Sequence, residues 1–170
     1  MRQSFTDLFD ALSVLQGGTD AFGRVLDLLK SKPRLFFIGN GGSSAIASHM
    51  AADFSKNGGF ATFCFNDGAA LTCISNDLGY ENVFSLPIIR HGQPNDVLFA
   101  ISSSGESQSI IKAVSTAAAK WMNVVTLSGF KPSNKLRKMG LVNFYVPSMS
   151  YGVVEIAHLA VLHSILDEVA

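Results

Sequence analysis

The segment Ser102–Ser107 places four serines and a glycine at one turn of the chain. The apolar run Asp96–Ile101 before it predicts a buried strand, and Ser109–Lys120 after it predicts a helix. Hydroxyl groups and backbone N–H groups at a helix N-terminus attract anions, so the turn predicts a phosphate site. A flexible serine-rich connector is the alternative. It fits poorly, because the flanking strand and helix leave no room for a linker.

A second polar loop, Gly39–Ser44, follows the predicted strand 34–38. It is not a P-loop, because no Gly-Lys-Ser/Thr is present, and Ser44 stands at the last glycine position of a dinucleotide fingerprint. A tight turn would explain the glycines but not Asn40 and the two serines. The two loops together predict a neutral phosphate cradle that is rich in hydrogen-bond donors.

Two pairs of histidine and carboxylate are spaced to share helix faces. His49 and Asp53 are four residues apart after the glycine loop, and Glu155 and His163 are eight apart near the C-terminus. His158 is rotated away from His163. The two pairs could converge as general acid and base or as metal ligands. Buried core histidines and solvated carboxylates are the alternative.

The elements that must position these residues alternate along the chain. Short apolar segments predict strands, and segments with helical periodicity lie between them. Strands are expected at 34–38, 61–65, 96–101, 123–127 and 142–146, and helices at 43–56, 68–75, 80–90, 107–120, 132–139 and 151–169, after two N-terminal helices split by Gly17 and Gly18. Pro87 is expected to kink or end its helix. The alternation predicts an α/β fold, a three-layer sandwich of five parallel strands with helices on both faces.

The chain of 170 residues is expected to form one domain, residues 1–170, with a helical segment at 1–32 and an α/β core at 33–170. Ligands of such sheets bind at the carboxyl ends of the strands. Asn76 and Asp77 are predicted to end the helix 68–75 at this rim, where they could contact sugar hydroxyls.

Charge and composition limit the classes of partner. Thirteen basic and 13 acidic residues give zero net charge, which argues against a nucleic-acid-binding face. Charged residues are 15% of the chain, against about 25% in ordinary domains. The low charge suggests that part of the surface is buried in a homo-oligomer.

Location is also predicted from the sequence. No apolar run reaches the roughly 18 residues of a membrane span, and acidic residues at the start argue against a signal peptide. Cys64 and Cys73 lie in apolar segments without a CxxC spacing, which predicts buried free thiols. We therefore expect a cytoplasmic protein that does not bind membranes.

The motifs together resemble the SIS (sugar isomerase) domain and, within it, the phosphoheptose isomerase family. The resemblance rests on the following segments: Gly39–Ser43, Ser75–Tyr80, Ile101–Ser107 and His158–His163. It implies the SIS fold, which is flavodoxin-like. It also implies a substrate-binding set made up of Asn40, Gly41, Gly42, Ser43, Asn76, Asp77, Ser102, Ser103, Ser104, Ser107 and Glu155.

The resemblance also implies an activity. The implied activity is that of an aldose–ketose isomerase, which converts sedoheptulose 7-phosphate to D-glycero-D-manno-heptose 7-phosphate through an enediol. The resemblance also implies a homotetramer. His49, Asp53, Glu155 and His163 match the family's zinc ligands, and Asp53 and His163 its acid and base. The family has glutamate at the position of Asp53 and glutamine at that of Glu155. A non-catalytic SIS module that binds a phosphosugar or a protein partner is the alternative.

Overall fold

A sheet of five parallel strands forms the centre of the molecule, as the sequence predicted. The computed structural model describes residues 3–17 and 19–170. The strands are β1 (Leu35–Gly39), β2 (Thr62–Cys64), β3 (Val97–Ser102), β4 (Asn123–Ser128) and β5 (Val142–Tyr145). Their order in the sheet is β2-β1-β3-β4-β5, and each neighbouring pair is parallel.

Seven α-helices connect or flank the strands in the part of the chain that is described. They are α1 (Gln3–Gly17), α2 (Thr19–Leu29), α3 (Gly42–Lys56), α4 (Gly68–Leu78), α5 (Ser85–His91), α6 (Gln108–Ala119) and α7 (Tyr151–Asp167). The break between α1 and α2 was predicted at Gly17 and Gly18; α1 ends at Gly17, and Gly18 lies outside the described residues. Within residues 3–17 and 19–170, no helix has both the length and the apolar character needed to cross a bilayer.

The helices cover both faces of the sheet, which confirms the three-layer prediction. The strands carry continuous apolar runs, so alternate side chains enter opposite cores. Leu35 and Phe37 of β1 pack into a core with α1, α2, α3 and α7. Phe36 and Ile38 pack into the opposite core with α5 and α6. All four side chains are fully buried.

The strand order creates a topological switch point between β1 and β3. These strands are neighbours in the sheet, and their connections leave toward opposite faces, α3 on one side and α6 on the other. A crevice therefore opens at the carboxyl ends of β1 and β3, where ligands of such sheets bind. The two polar loops of the sequence occupy this position.

Three helix predictions were wrong in detail. The helix predicted to end near Ser75 continues as α4 to Leu78, and Gly79, with a φ of 89°, ends it. The helix predicted at 80–90 is split into a 3-10 turn, Tyr80–Asn82, and α5. The predicted helix is interrupted at 83–84, just before Pro87, which lies in the first turn of α5, where its missing N–H has no intrahelical partner to lose. The helix predicted at 132–139 is a 3-10 turn at Leu136–Lys138.

Candidate active site

Two helix N-termini meet in one pocket at the switch point. The helix α3 begins within the loop 39–44, called the glycine loop, and α6 begins directly after the loop 102–107, called the serine loop. Their N-cap residues are Gly41 and Ser107. Among the described residues, neither N-cap forms a side-chain capping hydrogen bond. Backbone N–H groups of the first turn of both helices are therefore available to an anion.

The pocket, which we call the serine pocket, has a volume of about 260 Å³. Its lining consists of Asn40, Gly41, Gly42, Ser43, Ile101, Ser102, Ser103, Ser104, Ser107, Tyr151 and Glu155. The structure thus gathers every residue of the predicted substrate-binding set except Asn76 and Asp77. Of the described lining residues, none is lysine or arginine and one, Glu155, is acidic, so an anion would be held by neutral donors and helix dipoles.

Gly41 and Gly42, two of the three glycines of the loop 39–44, suit it for different physical reasons. Gly41 has a φ of 57° and a ψ of −125°, a conformation that side chains with a Cβ rarely adopt. Gly42 has ordinary dihedral angles, but a Cβ on it would overlap the carboxylate of Glu155. The loop therefore brings the start of α3 against the first turns of α7.

Residues of the segment after β4 pack against the serine loop and donate a hydrogen bond to it. The buried Asn134 donates from Nδ2 to the carbonyl oxygens of Gly129 and Lys131 at 3.0 and 2.9 Å. The N–H of Leu136 donates to the carbonyl of Gly105 at 3.0 Å. Gly105 has a φ of 64° and leaves no room for a Cβ beside Asn134. Sequence reasoning missed Asn134, because its contacts with the loop depend on tertiary packing.

One buried hydroxyl group in the serine pocket has no hydrogen-bond partner among the described residues. It is the Oγ of Ser103. Ser103 is 5% exposed and lines the serine pocket. A buried hydroxyl without a partner is costly, and an oxygen of a bound ligand would relieve this cost.

Three of the predicted ionisable residues form a cluster between α3 and α7, here called the His/Asp cluster. The Nε2 atoms of His49 and His163 are 3.2 Å apart, and the Nε2 of His49 is 3.4 Å from the Oδ2 of Asp53. One ligand atom of each residue lies within 4.8 Å of the others. Two ligands at 2.1 Å from a tetrahedral metal ion are roughly 3.4 Å apart, so the cluster could hold a metal.

Glu155 is not part of the His/Asp cluster. Eight residues separate it from His163, which is about 12 Å along α7. Among the described residues, the group that could share a metal ion contains His49, Asp53 and His163. The predicted convergence of the two pairs on one site is therefore not seen among the described residues of this chain. Residues eight apart are close in angle around a helix, but they are more than two turns apart along its axis.

The helices α3 and α7 run side by side in the same direction. Gly42 lies against Glu155 near the start of each helix, and His49 lies against His163 about two turns later. From Ser43 to His49 the distance along α3 is about 9 Å. The serine pocket and the His/Asp cluster are therefore the two ends of one seam between the helices.

His158 points away from His163, as its rotation on the helix predicted, and it faces the core. It is fully buried, and its Nε2 lies 3.2 Å from the carbonyl oxygen of Ser128. Burial lowers the pKa of His158 to about 4, and the hydrogen bond to Ser128 offsets this only in part. The imidazole is therefore neutral near pH 7.

Asn76 and Asp77 lie elsewhere than predicted. Both are exposed in the last turn of α4, and Asn76 Nδ2 donates to Asp77 Oδ1 at 2.8 Å. They are absent from the described lining of the serine pocket. Their predicted contact with a sugar is therefore not made by the pocket of this chain alone.

The two cysteines are free, as expected. Cys64 is partly buried, and burial raises the pKa of its thiol. Cys73 was predicted to be buried, but it is exposed on α4. The prediction failed because α4 buries none of its side chains fully.

Comparisons with known proteins show which family this chain is related to. The sequence profile of the SIS domain family matches residues 19–129. The phosphoheptose isomerase of Vibrio parahaemolyticus is 34% identical over 149 residues, which cover 84% of this chain and 78% of that protein. The phosphoheptose isomerase of Aeromonas hydrophila is 34% identical over an alignment of 177 positions, gaps included, which covers 95% of this chain and 92% of that protein.

A solved structure is similar over almost the whole chain. Phosphoheptose isomerase GmhA from Neisseria gonorrhoeae matches with a TM-score of 0.87 at 31% identity, covering 98% of this chain and 92% of that chain. The chain therefore belongs to the SIS domain family and, within it, to the phosphoheptose isomerases. This confirms the resemblance seen in the sequence.

Proposed function

We propose that this chain is an aldose–ketose isomerase that converts sedoheptulose 7-phosphate to D-glycero-D-manno-heptose 7-phosphate. The observation that carries the proposal is the seam between α3 and α7, with an anion pocket at one end and the His/Asp cluster at the other. The separation along the seam suits a sugar whose phosphate and reacting carbons lie at opposite ends. The relatives that cover most of this chain carry the name of this activity.

The serine pocket would bind the phosphate through the hydroxyl groups of Ser102, Ser104 and Ser107, with Ser43 at the start of α3. Asp53 would remove a proton from C1 of the ketose, while His163 donates one to O2, which gives the enediol. In the second half of the reaction, the protonated Asp53 would give its proton to C2 while His163 takes the proton of O1, which gives the aldose and restores both side chains. Both residues lie in one cluster, which places the two proton transfers within reach of adjacent carbons.

We further propose that the His/Asp cluster binds zinc. His49, Asp53 and His163 offer two imidazole nitrogens and a carboxylate oxygen, a donor set that suits zinc and leaves a fourth position open. For Asp53 and His163 the roles of zinc ligand and of proton-transfer group would compete, because an oxygen or nitrogen atom bound to zinc is a poorer base. When bound, the ion would polarise the substrate's carbonyl group. Glu155 of the same chain would remain at the serine pocket, because it lies about 12 Å along α7 from His163.

The proposed activity is tested by incubating the purified protein with a panel of sugars. The panel contains sedoheptulose 7-phosphate, sedoheptulose without phosphate and a six-carbon ketose phosphate, each with added zinc or with a chelator. We expect turnover of the seven-carbon phosphate, none of the phosphate-free sugar, and lower activity with the chelator. Binding of the phosphosugar without turnover would contradict the isomerase and favour a sensor module.

We also propose a homo-oligomer, specifically a homotetramer, with α1, α2 and α3 at its interfaces. Phe5 and Phe9 on α1 and Ile156 on α7 are large apolar side chains that are more than half exposed. A mainly apolar groove of about 660 Å³ lies between α1, α2 and α7. Apolar surface of this kind is often covered by another subunit.

The oligomer is tested by sedimentation at micromolar concentration. We expect a species of about four times the 18.2 kDa chain mass, and specific activity that falls on dilution if neighbouring subunits complete the site. A monomer alone would contradict the proposal.

The remaining assignments are also proposals. Residues 1–170 would form one domain, with 1–32 as the helical segment and 33–170 as the α/β core. Free Cys64 and Cys73 suit a reducing compartment, and we propose the cytoplasm as the location.

A further inference from the structure

Asn40 lies at the serine pocket, but its side chain is engaged by other protein groups. Its Oδ1 accepts a hydrogen bond from the phenol of Tyr80 at 2.7 Å. Its Nδ2 donates to the hydroxyl oxygens of Ser107 at 2.8 Å and of Ser109 at 3.1 Å. Both ends of the amide are therefore satisfied by protein groups before any ligand binds.

The same network determines what Ser107 can do. Ser109 is 2% exposed, and besides Asn40 its Oγ has one partner among the described residues, Ser107 Oγ at 3.2 Å. Either hydroxyl of this pair could donate. Because Ser109 is buried and has no other acceptor for its hydrogen among the described residues, the arrangement that leaves this hydrogen paired has Ser109 donating to Ser107. Ser107 Oγ then accepts from both neighbours, and its two lone pairs are occupied.

A hydroxyl whose lone pairs are occupied must send its own hydrogen elsewhere. Ser107 lines the serine pocket, so its O–H is left to donate into the pocket. Hydrogen bonds that run in one direction strengthen each other, so donation from Tyr80 to Asn40 and from Asn40 to Ser107 makes Ser107 a better donor. A donor to a charged oxygen forms a stronger bond than one to a neutral acceptor.

We infer that Tyr80 is a positioning residue for the phosphate of the substrate, acting through Asn40 on Ser107. The phenol holds the oxygen end of the Asn40 amide, so that the NH₂ end faces the serines. Without the phenol hydroxyl, the amide is free to turn, and its oxygen would then draw the hydrogen of Ser107 away from the pocket. The inference rests on the proposed phosphate site, and it assigns a function to a residue outside the described pocket lining.

The test is Tyr80→Phe, which removes one oxygen atom from a half-exposed side chain. Binding of inorganic phosphate is followed by phosphorus NMR titration, and turnover is measured by steady-state kinetics. We expect phosphate affinity to fall roughly three- to tenfold, the range of one hydrogen bond. KM for the sugar phosphate should rise by the same factor, with kcat within about twofold.

Tyr145→Phe is the matched control. Its phenol donates to the carbonyl of Phe130 at 2.8 Å, and neither residue belongs to the described lining of the serine pocket or to the network of Asn40, so phosphate affinity should not change. In a Ser107→Ala background, Tyr80→Phe should have almost no further effect on phosphate affinity, because the end of the network is already removed.

Two outcomes would overturn the inference while leaving the phosphate site intact. The first is unchanged phosphate affinity in Tyr80→Phe. The second is that Tyr80→Phe lowers phosphate affinity by the same factor in the unaltered protein and in the Ser107→Ala background. Failure of the unaltered protein to bind phosphate would overturn the phosphate site and the network together. A fall in kcat with unchanged KM would also contradict a positioning role, since it would indicate that Tyr80 acts in the chemical step.

Discussion

Asp53→Asn and His163→Gln are each expected to lower kcat by roughly a hundredfold to ten-thousandfold, the usual contribution of a positioned acid or base. Both substitutions keep the size of the side chain and remove its ability to move a proton in the reaction. Phosphosugar affinity should stay within about tenfold, or about 1.4 kcal/mol, because the serine pocket lies about 9 Å away along α3. Steady-state kinetics and calorimetric binding measure the two effects separately.

His158→Gln is the internal control for this pair. His158 lies on the same helix as His163 but is buried beside Ser128, with its pKa lowered to about 4 by burial. A glutamine there can still donate to the carbonyl of Ser128, so the variant should lose some stability and keep its kcat. Activity lost in His158→Gln but kept in His163→Gln would show that the other face of α7 carries the chemistry. Full activity in Asp53→Asn would mean that another group takes the proton.

The sequence predicted the sheet well because its strands are unambiguous. Residues 35–38 and 97–101 are continuous apolar runs, which only a sheet covered on both faces can bury. The polar residues that follow these runs had to lie at the carboxyl ends of the strands. The serine pocket therefore followed from local pattern and topology alone.

The helix boundaries were less predictable, because local preferences compete. Asn76 and Asp77 favour turns, yet α4 continues through them, and Gly79 ends it with a φ of 89°. Pro87 breaks helix interiors, but it is tolerated in the first turn of α5. In both cases the deciding feature is the position of the residue within its helix, which residue type alone does not give.

The supporting residues of the site were missed for another reason. Asn134 and Tyr80 contact the two loops from segments about 30 and 40 residues away in sequence. No spacing rule connects such positions, since they meet only when the chain has folded. The prediction for Glu155 differs from these cases. The eight-residue spacing gives the angle between Glu155 and His163 around α7, but it also separates them by about 12 Å along the helix axis.

Ser104→Asp is expected to weaken phosphosugar binding by at least about a hundredfold. Ser104 lines the serine pocket, and its Oγ accepts the N–H of Glu106 at 3.2 Å. Its own hydrogen is therefore available to the phosphate. An aspartate can still accept the N–H of Glu106, which preserves the loop, but it places a negative charge beside the anion. Calorimetric titration with the phosphosugar measures the loss.

Two further variants separate charge from packing. Ser104→Ala removes one donor and adds no charge, so affinity should fall only several-fold. Ser115→Asp makes the same substitution on the exposed face of α6, away from the serine pocket, and should bind normally. Unchanged affinity in Ser104→Asp would show that the phosphate does not lie in the serine pocket. An equal loss in Ser104→Ala and Ser104→Asp would contradict the electrostatic argument, because the added charge would then have no effect of its own.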